Sequence, residues 1–88
     1  MITEMIAKNL KTFRKYSGGL SQKDFAAKME INGKSYQAYE DGRCAPPNKF
    51  MLEYCKKFNI SLEDLWTKDF AATHTEIELL KIILGNKL

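Results

Sequence analysis

Residues 21–43 read SQKDFAAKMEINGKSYQAYEDGR, and they decide the fold because two helix starts follow each other within them. The first start is Ser21, a favoured N-cap residue, with the acid Asp24 three positions later as in a capping box. An apolar pair flanks this cap with the spacing of a hydrophobic staple. The pattern predicts a helix over residues 22–29.

The second start is Asn32, which is again a favoured N-cap residue. Ile31 and Tyr36 have the spacing of a staple across this cap, and Gly42 suits the left-handed residue that closes a helix. We therefore expect a second helix over residues 33–41. Because only three residues join the two helices, the connection favours a steep crossing angle between them.

The flanking sequence predicts three further helices. An apolar stripe at helical spacing runs over residues 2–16 and ends at a pair of glycines. Two prolines at 46–47 block any continuation of the preceding helix, and a broad apolar face follows over 50–58. A third capped start predicts a short helix over 61–66. No strand-like alternation occurs, so the fold class is all-α, with a five-helix domain over residues 1–66.

Residues 67–88 are interpreted as a C-terminal extension with one additional helix. Thr73 and Glu76 are expected to cap this helix, whose apolar side chains cover more than half of its circumference. Such a helix would leave an apolar patch on a monomer, so we expect it to dimerise through Ile77, Leu80, Ile83 and Leu84. The alternative is a sixth helix that is absorbed wholly by the core of its own chain.

Charge is distributed unevenly along the 88 residues, whose formal net charge is +3. From Lys8 to Lys49 there are nine Lys or Arg against four acids, whereas residues 50–88 carry five bases against six acids. A basic first half on a nearly neutral remainder is what a phosphate-facing surface needs.

The sequence also excludes several classes of protein. No apolar run approaches the roughly 20 residues that span a bilayer, and no signal-peptide pattern occurs, so we expect a cytoplasmic protein without membrane contact. Cys44 and Cys55 are too far apart for a Cys-x-x-Cys pair and are expected to be reduced thiols. His74 has no partner spaced for metal binding or catalysis, and there is no glycine-rich phosphate loop. An enzyme, a metal site and a cofactor are therefore not expected.

Several short segments share their order and spacing with one known family. They are Phe13-Arg14, Leu20-Ser21-Gln22, Phe25-Ala26, Ser35-Tyr36, Tyr39-Glu40-Asp41-Gly42, Pro46 and Ile60-Ser61-Leu62-Glu63-Asp64-Leu65. From about Ile6 to Leu65 the chain resembles the phage lambda repressor and Cro type of helix-turn-helix domain, the XRE family. The resemblance implies that the helix over 33–41 reads bases in the major groove, and that pairs of domains bind two-fold symmetric operators.

The resemblance also implies roles for individual residues. Its base-facing positions are matched here by Gly33, Lys34, Gln37 and Ala38, of which Lys34 can donate to guanine. Phosphate contacts are implied or plausible for Gln22, Asn32, Ser35, Arg43, Asn48 and Lys49. Arg14 and Glu40 match a pair that forms a buried salt bridge in the family, and their expected role is structural.

Three positions depart from the family pattern. Glu30 stands where the family has glycine in the turn, so a differently shaped turn is expected. Gly33 places no side chain at a reading position, which means either a close backbone approach to DNA or an unread base pair. The connection at Gly18-Gly19 is one residue longer than usual.

The function expected from these features is sequence-specific DNA binding by a dimeric transcriptional regulator, a repressor, with double-stranded DNA as its partner. One alternative is a protein-interaction module that keeps the fold without specific DNA binding. Another is the antitoxin of a toxin-antitoxin pair. With no sensing domain predicted, regulation is expected through dimerisation, abundance or a protein partner.

Overall fold

The structure, a computed structural model, describes residues 2–85, with side chains from 4 to 83. Within residues 2–85 the chain forms seven helices and no strand: α1 (Ile2–Tyr16), α2 (Gln22–Lys28), α3 (Gly33–Glu40), α4 (Asn48–Phe58), α5 (Leu62–Thr67), α6 (Phe70–Thr73) and α7 (Glu76–Gly85). The all-α class is therefore confirmed, and the first five helices lie where the sequence predicts them, within a residue or two at the ends.

The helix starts are fixed by the expected caps. Ser21 Oγ accepts a hydrogen bond from the backbone nitrogen of Asp24, and Ser61 Oγ accepts one from that of Asp64. Asn32 Oδ1 accepts from two backbone N–H groups in the first turn of α3. Each bond satisfies a donor that the helix itself leaves free.

The C-terminal region differs from the prediction in two ways. Asp69 caps an additional short helix, α6, which ends at Thr73. The cap of α7 is Thr75, whose Oγ1 accepts from the nitrogen of Glu78 while the Glu78 carboxylate accepts from the nitrogen of Thr75. The expected Thr73–Glu76 cap is wrong, because Thr73-x-x-Glu76 and Thr75-x-x-Glu78 have the same capping-box spacing and the extra turn of α6 takes up residue 73.

One hydrophobic core joins all of these helices. Leu10 and Phe13 of α1 are fully buried at its centre, and the core also includes Tyr54 and Phe58 of α4. The segment after Trp66 contributes three buried side chains to the same cluster, namely Phe70, Leu79 and Ile83. α6 and α7 both pack against α1, so the C-terminal segment completes the core of the domain.

A buried asparagine attaches the C-terminal half to α1. Asn9 is fully buried, and its Nδ2 donates to the carbonyl oxygens of Leu65 at 2.9 Å and Lys68 at 2.7 Å. Its Oδ1 accepts from the backbone nitrogen of Phe70 at 3.2 Å. One side chain thus satisfies three backbone groups at the α5–α6 connection, which would otherwise be left unpaired.

Replacing this asparagine is expected to destabilise the whole domain. Asn9→Ala should lower the free energy of unfolding by about 2–4 kcal/mol, because buried backbone groups then lose their partners. Urea denaturation monitored by circular dichroism measures the change. The matched control is Lys11→Ala on the exposed side of α1, which should shift stability by no more than about 0.5 kcal/mol. Equal effects of the two substitutions would contradict the assigned role of Asn9.

Candidate nucleic-acid interface

The turn between α2 and α3 keeps a left-handed residue despite the absence of glycine. Glu30 has φ +59°, and the backbone nitrogen of Ile31 donates to the carbonyl oxygen of Ala26 at 3.0 Å. The expectation of a differently shaped turn at Glu30 is therefore wrong. A left-handed non-glycine residue costs roughly 1–2 kcal/mol, and the packing of the two helices offsets this cost. Ala26 is buried in the core next to this turn.

A buried ion pair fixes the far end of α3. Arg14 Nε donates to Glu40 Oε2 at 2.9 Å, and Arg14 Nη2 donates to Glu40 Oε1 at 2.7 Å. The Glu40 side chain is only 2% exposed. Two parallel hydrogen bonds between a guanidinium and a carboxylate restrict both orientation and distance, so the last turn of α3 is held against α1.

The same carboxylate also binds the start of α2. Gln22 Nε2 donates to Glu40 Oε1 at 3.1 Å, and Arg14 Nη1 donates to the carbonyl oxygen of Leu20 at 2.7 Å. Burial by itself raises the pKa of Glu40, but the hydrogen bonds from Arg14 and Gln22 and the charge of Arg14 outweigh it and hold this pKa below its ordinary value. The carboxylate is therefore charged at neutral pH and holds α1, α2 and α3 together.

The lowered pKa of Glu40 makes stability depend on pH. Its contribution is fully present above the pKa of an unfolded glutamate, about 4.3, and is lost as the pH falls through the lower folded value. We expect Glu40→Gln to cost about 3 kcal/mol of unfolding free energy at pH 7, with the difference from the original chain shrinking below about pH 4. Urea unfolding at a series of pH values tests this.

The control for that experiment is Glu53→Gln, an exposed glutamate of α4. It should change stability by less than about 0.5 kcal/mol at pH 7. A difference between the Glu40→Gln variant and the original chain that stays constant from pH 7 to 3 would contradict the assigned charge state.

The exposed side of α2 and α3 forms a shallow concave surface. It brings together five of the residues predicted to contact DNA and one that was not predicted: Gln22, Lys23, Asn32, Gly33, Lys34 and Gln37. Both charged residues in this set are lysines, so the surface is positive. We call this set the reading surface.

Lys23 is the residue that sequence reasoning missed. It occupies the second position of α2 and is exposed beside the first turn of α3. The signal was available, since a lysine that follows Gln22 at the helix start lies next to any phosphate that Gln22 contacts. The prediction did not use it, because a lysine in a first helical turn is usually only a solvated residue.

The remaining predicted contact residues lie outside this concavity. Ser35 and Ala38 are half-buried in α3, and Asn48 and Lys49 are exposed in the first turn of α4. Arg43 is exposed and lies 3.6 Å from the carboxylate of Asp41, which offsets part of its charge. Asn32 uses its side-chain oxygen to cap α3, so only its amide N–H groups remain for a phosphate.

Gly33 opens α3 with free space around it. A Cβ built at this position meets no atom within 4 Å beyond its chain neighbours and the nearby backbone of its own helix, and its backbone conformation is one that other residues adopt readily. The packing of the protein therefore does not require glycine here.

The residues expected to dimerise fall into different environments. Ile77 is 67% exposed and Leu80 is 40% exposed, whereas Ile83 is buried in the core of its own chain. The side chain of Leu84 lies outside the described residues. Of this set, Ile77 and Leu80 are thus the side chains that the structure shows on the surface.

Residues 2–85 lack two kinds of feature. No helix in that range is long and apolar enough to cross a membrane. Nor does any group of three His, Cys, Asp or Glu side chains in that range come close enough together to hold a metal ion.

These features define a helix-turn-helix domain: two capped helices, α2 and α3, are joined by a tight turn, and an ion pair holds them from behind. The helix-turn-helix family matches residues 10–65, and the chain belongs to this family. Its domain is of the lambda repressor and Cro type. Among curated proteins it is similar to "Antitoxin PezA" of Streptococcus pneumoniae serotype 4 (strain ATCC BAA-334 / TIGR4), with 35% identity over 65 residues. That match covers 74% of this chain but only 40% of the relative's length. No solved structure matches the chain.

Proposed function

We propose that the protein is a sequence-specific transcriptional repressor that binds a two-fold symmetric operator as a dimer, with α3 in the major groove. The observation that carries this proposal is the reading surface, which is positive and lies on a helix pair held rigidly by Glu40. Membership of a family of DNA-binding domains supports it. A helix held in one orientation can present side chains to base edges with a defined register.

The roles within this surface follow from side-chain chemistry. Lys34 is exposed in the first turn of α3 and can donate to the O6 and N7 acceptors of guanine. Gln37 lies one turn later and suits adenine or a phosphate, and Ala38 suits contact with a thymine methyl group. Gln22 and Lys23 would bind the phosphates beside that site. Of the two amide hydrogens on Gln22, the bond to Glu40 uses one, so the other remains available.

The central experiment measures binding to the DNA upstream of the protein's own gene across a salt series. We expect tight binding relative to random duplex, with an affinity that falls steeply as salt rises, because phosphate contacts release counterions. Equal and negligible affinity for specific and random duplex at low salt would contradict the proposal. That result would favour the alternative of a protein-interaction module.

Two substitutions separate base reading from phosphate binding. Lys34→Ala should cost about 1–3 kcal/mol on the preferred operator and relax the base preference. Gln22→Ala should weaken binding to all sequences by a similar factor. Lys56→Ala, which removes an exposed lysine from the far end of α4, is the control and should leave affinity nearly unchanged. Loss of sequence preference in the Lys56 variant would invalidate the assignment.

A second candidate function is that of an antitoxin, which also fits a DNA-binding regulator. The observation that favours it is the similarity to a relative named as an antitoxin. If this candidate is right, co-expression should relieve growth arrest caused by the product of the adjacent gene, and Lys34→Ala should retain that relief while losing operator preference. No relief from the unaltered protein would exclude the antitoxin function and leave the repressor proposal intact.

A further inference from the structure

The domain also carries an apolar groove that shares no lining residue with the reading surface. Its cavity has a volume of about 390 Å³, within the range of about 300–1,000 Å³ that binding clefts occupy. Leu20, Phe25 and Phe58 contribute apolar lining from the α1–α2 connection, α2 and α4, and Leu80 and Ile83 contribute it from α7.

The charges around this groove differ from one helix to another. Lys28 at the end of α2 and Lys57 near the end of α4 both line it. Within the described part of the chain, neither lysine forms an ion pair. α7 instead carries the exposed acid Glu76, whose carboxylate accepts a 3.4 Å hydrogen bond from the hydroxyl of Tyr16, itself a residue of the groove. The rim is therefore basic on α2 and α4 and acidic on α7.

The most exposed large hydrophobic side chain in the described residues lies next to this acid. Ile77 is 67% exposed, and it is followed one turn later by Leu80, which is 40% exposed. Ile77 does not line the cavity of its own chain. One copy of the protein thus offers both a basic apolar groove and a protruding acidic apolar edge. The groove and the edge are complementary, so they can form an interface between two copies of the chain.

We propose that the groove is the contact surface for a second copy of this chain. In the dimer, Ile77 of each copy enters the groove of the other, and each Glu76 faces Lys57 and Lys28 of the other copy. The interface is isologous, so both contacts occur twice around the two-fold axis. A small ligand in the cavity would leave Ile77 exposed, whereas a second copy covers it. This inference rests on the dimeric state in the proposed function and adds the surface and the charges that define it.

Charge reversal tests the pairing. The single variants Lys57→Glu and Glu76→Lys each place like charges together twice in the homodimer. We expect the dimer dissociation constant, measured by analytical ultracentrifugation, to rise at least about tenfold in each. Lys56→Glu introduces the same charge change on the same helix at a position outside the groove. It is the matched control and should leave the dissociation constant unchanged.

Mixing the two single variants distinguishes contacts between copies from contacts within one copy. In an equimolar mixture, the glutamate introduced at position 57 of one variant faces the lysine introduced at position 76 of the other, and the remaining pair is unaltered. The mixture should therefore form heterodimers with an affinity close to that of the original chain. The double variant K57E/E76K should likewise dimerise. Circular dichroism of each variant checks that the helical fold is retained.

Three results would overturn the inference. They are an original chain that stays monomeric at high micromolar concentration, a Lys57→Glu variant that dimerises normally, and a mixture of single variants that stays monomeric. The repressor proposal is judged separately, by operator binding. A chain that dimerises as described but ignores its operator would refute the repressor and leave this interface standing. Conversely, a Lys57→Glu variant that binds its operator specifically and dimerises normally would refute this interface and leave the repressor proposal standing.

Discussion

The carboxylate of Glu40 holds the reading surface in place. α3 has only eight residues, and a helix of that length is not stable alone in water. Its last turn is bound to α1 through Arg14, and the start of α2 is bound to the same carboxylate through Gln22. A side chain expected to contact DNA is thereby bonded directly to the buried charge that orients α3. Disturbance of the ion pair would therefore alter the position of α3 and the orientation of Gln22 together.

Local chemistry made most of the helix-turn-helix predictable. Ser21, Asn32 and Ser61 each stand where a short polar side chain can satisfy the first turn of a helix, and this signal needs no tertiary information. The C-terminal cap could not be chosen in this way, because Thr73 and Thr75 both precede a glutamate by three residues. The prediction of a differently shaped turn at Glu30 was wrong for a different reason. Propensity disfavours a left-handed glutamate, but the packing of α2 against α3 determines the backbone there.

The spacing of apolar residues also could not predict how α7 packs, because apolar residues occur on nearly every side of this helix. A helical wheel shows that such a helix is buried, but it cannot show whether the helix packs against its own chain or against another one. Leu79 and Ile83 face the core of the same chain, while Ile77 and Leu80 remain on the surface. The alternative of a core helix is thus right for Leu79 and Ile83, and dimerisation stays a prediction for the exposed Ile77 and Leu80. Lys23 of α2 shows the same limit of prediction from sequence, because its proximity to α3 results from the crossing of the two helices.

Gly33 gives the domain a vacant position at the edge of its reading surface. Because a Cβ there would have no packed neighbour within 4 Å, the fold leaves open space for a side chain at this position. Surface substitutions that touch no packed neighbour usually change stability by less than about 0.5 kcal/mol. In the proposed repressor, a single codon can therefore change the operator preference while the core and the ion pair stay the same.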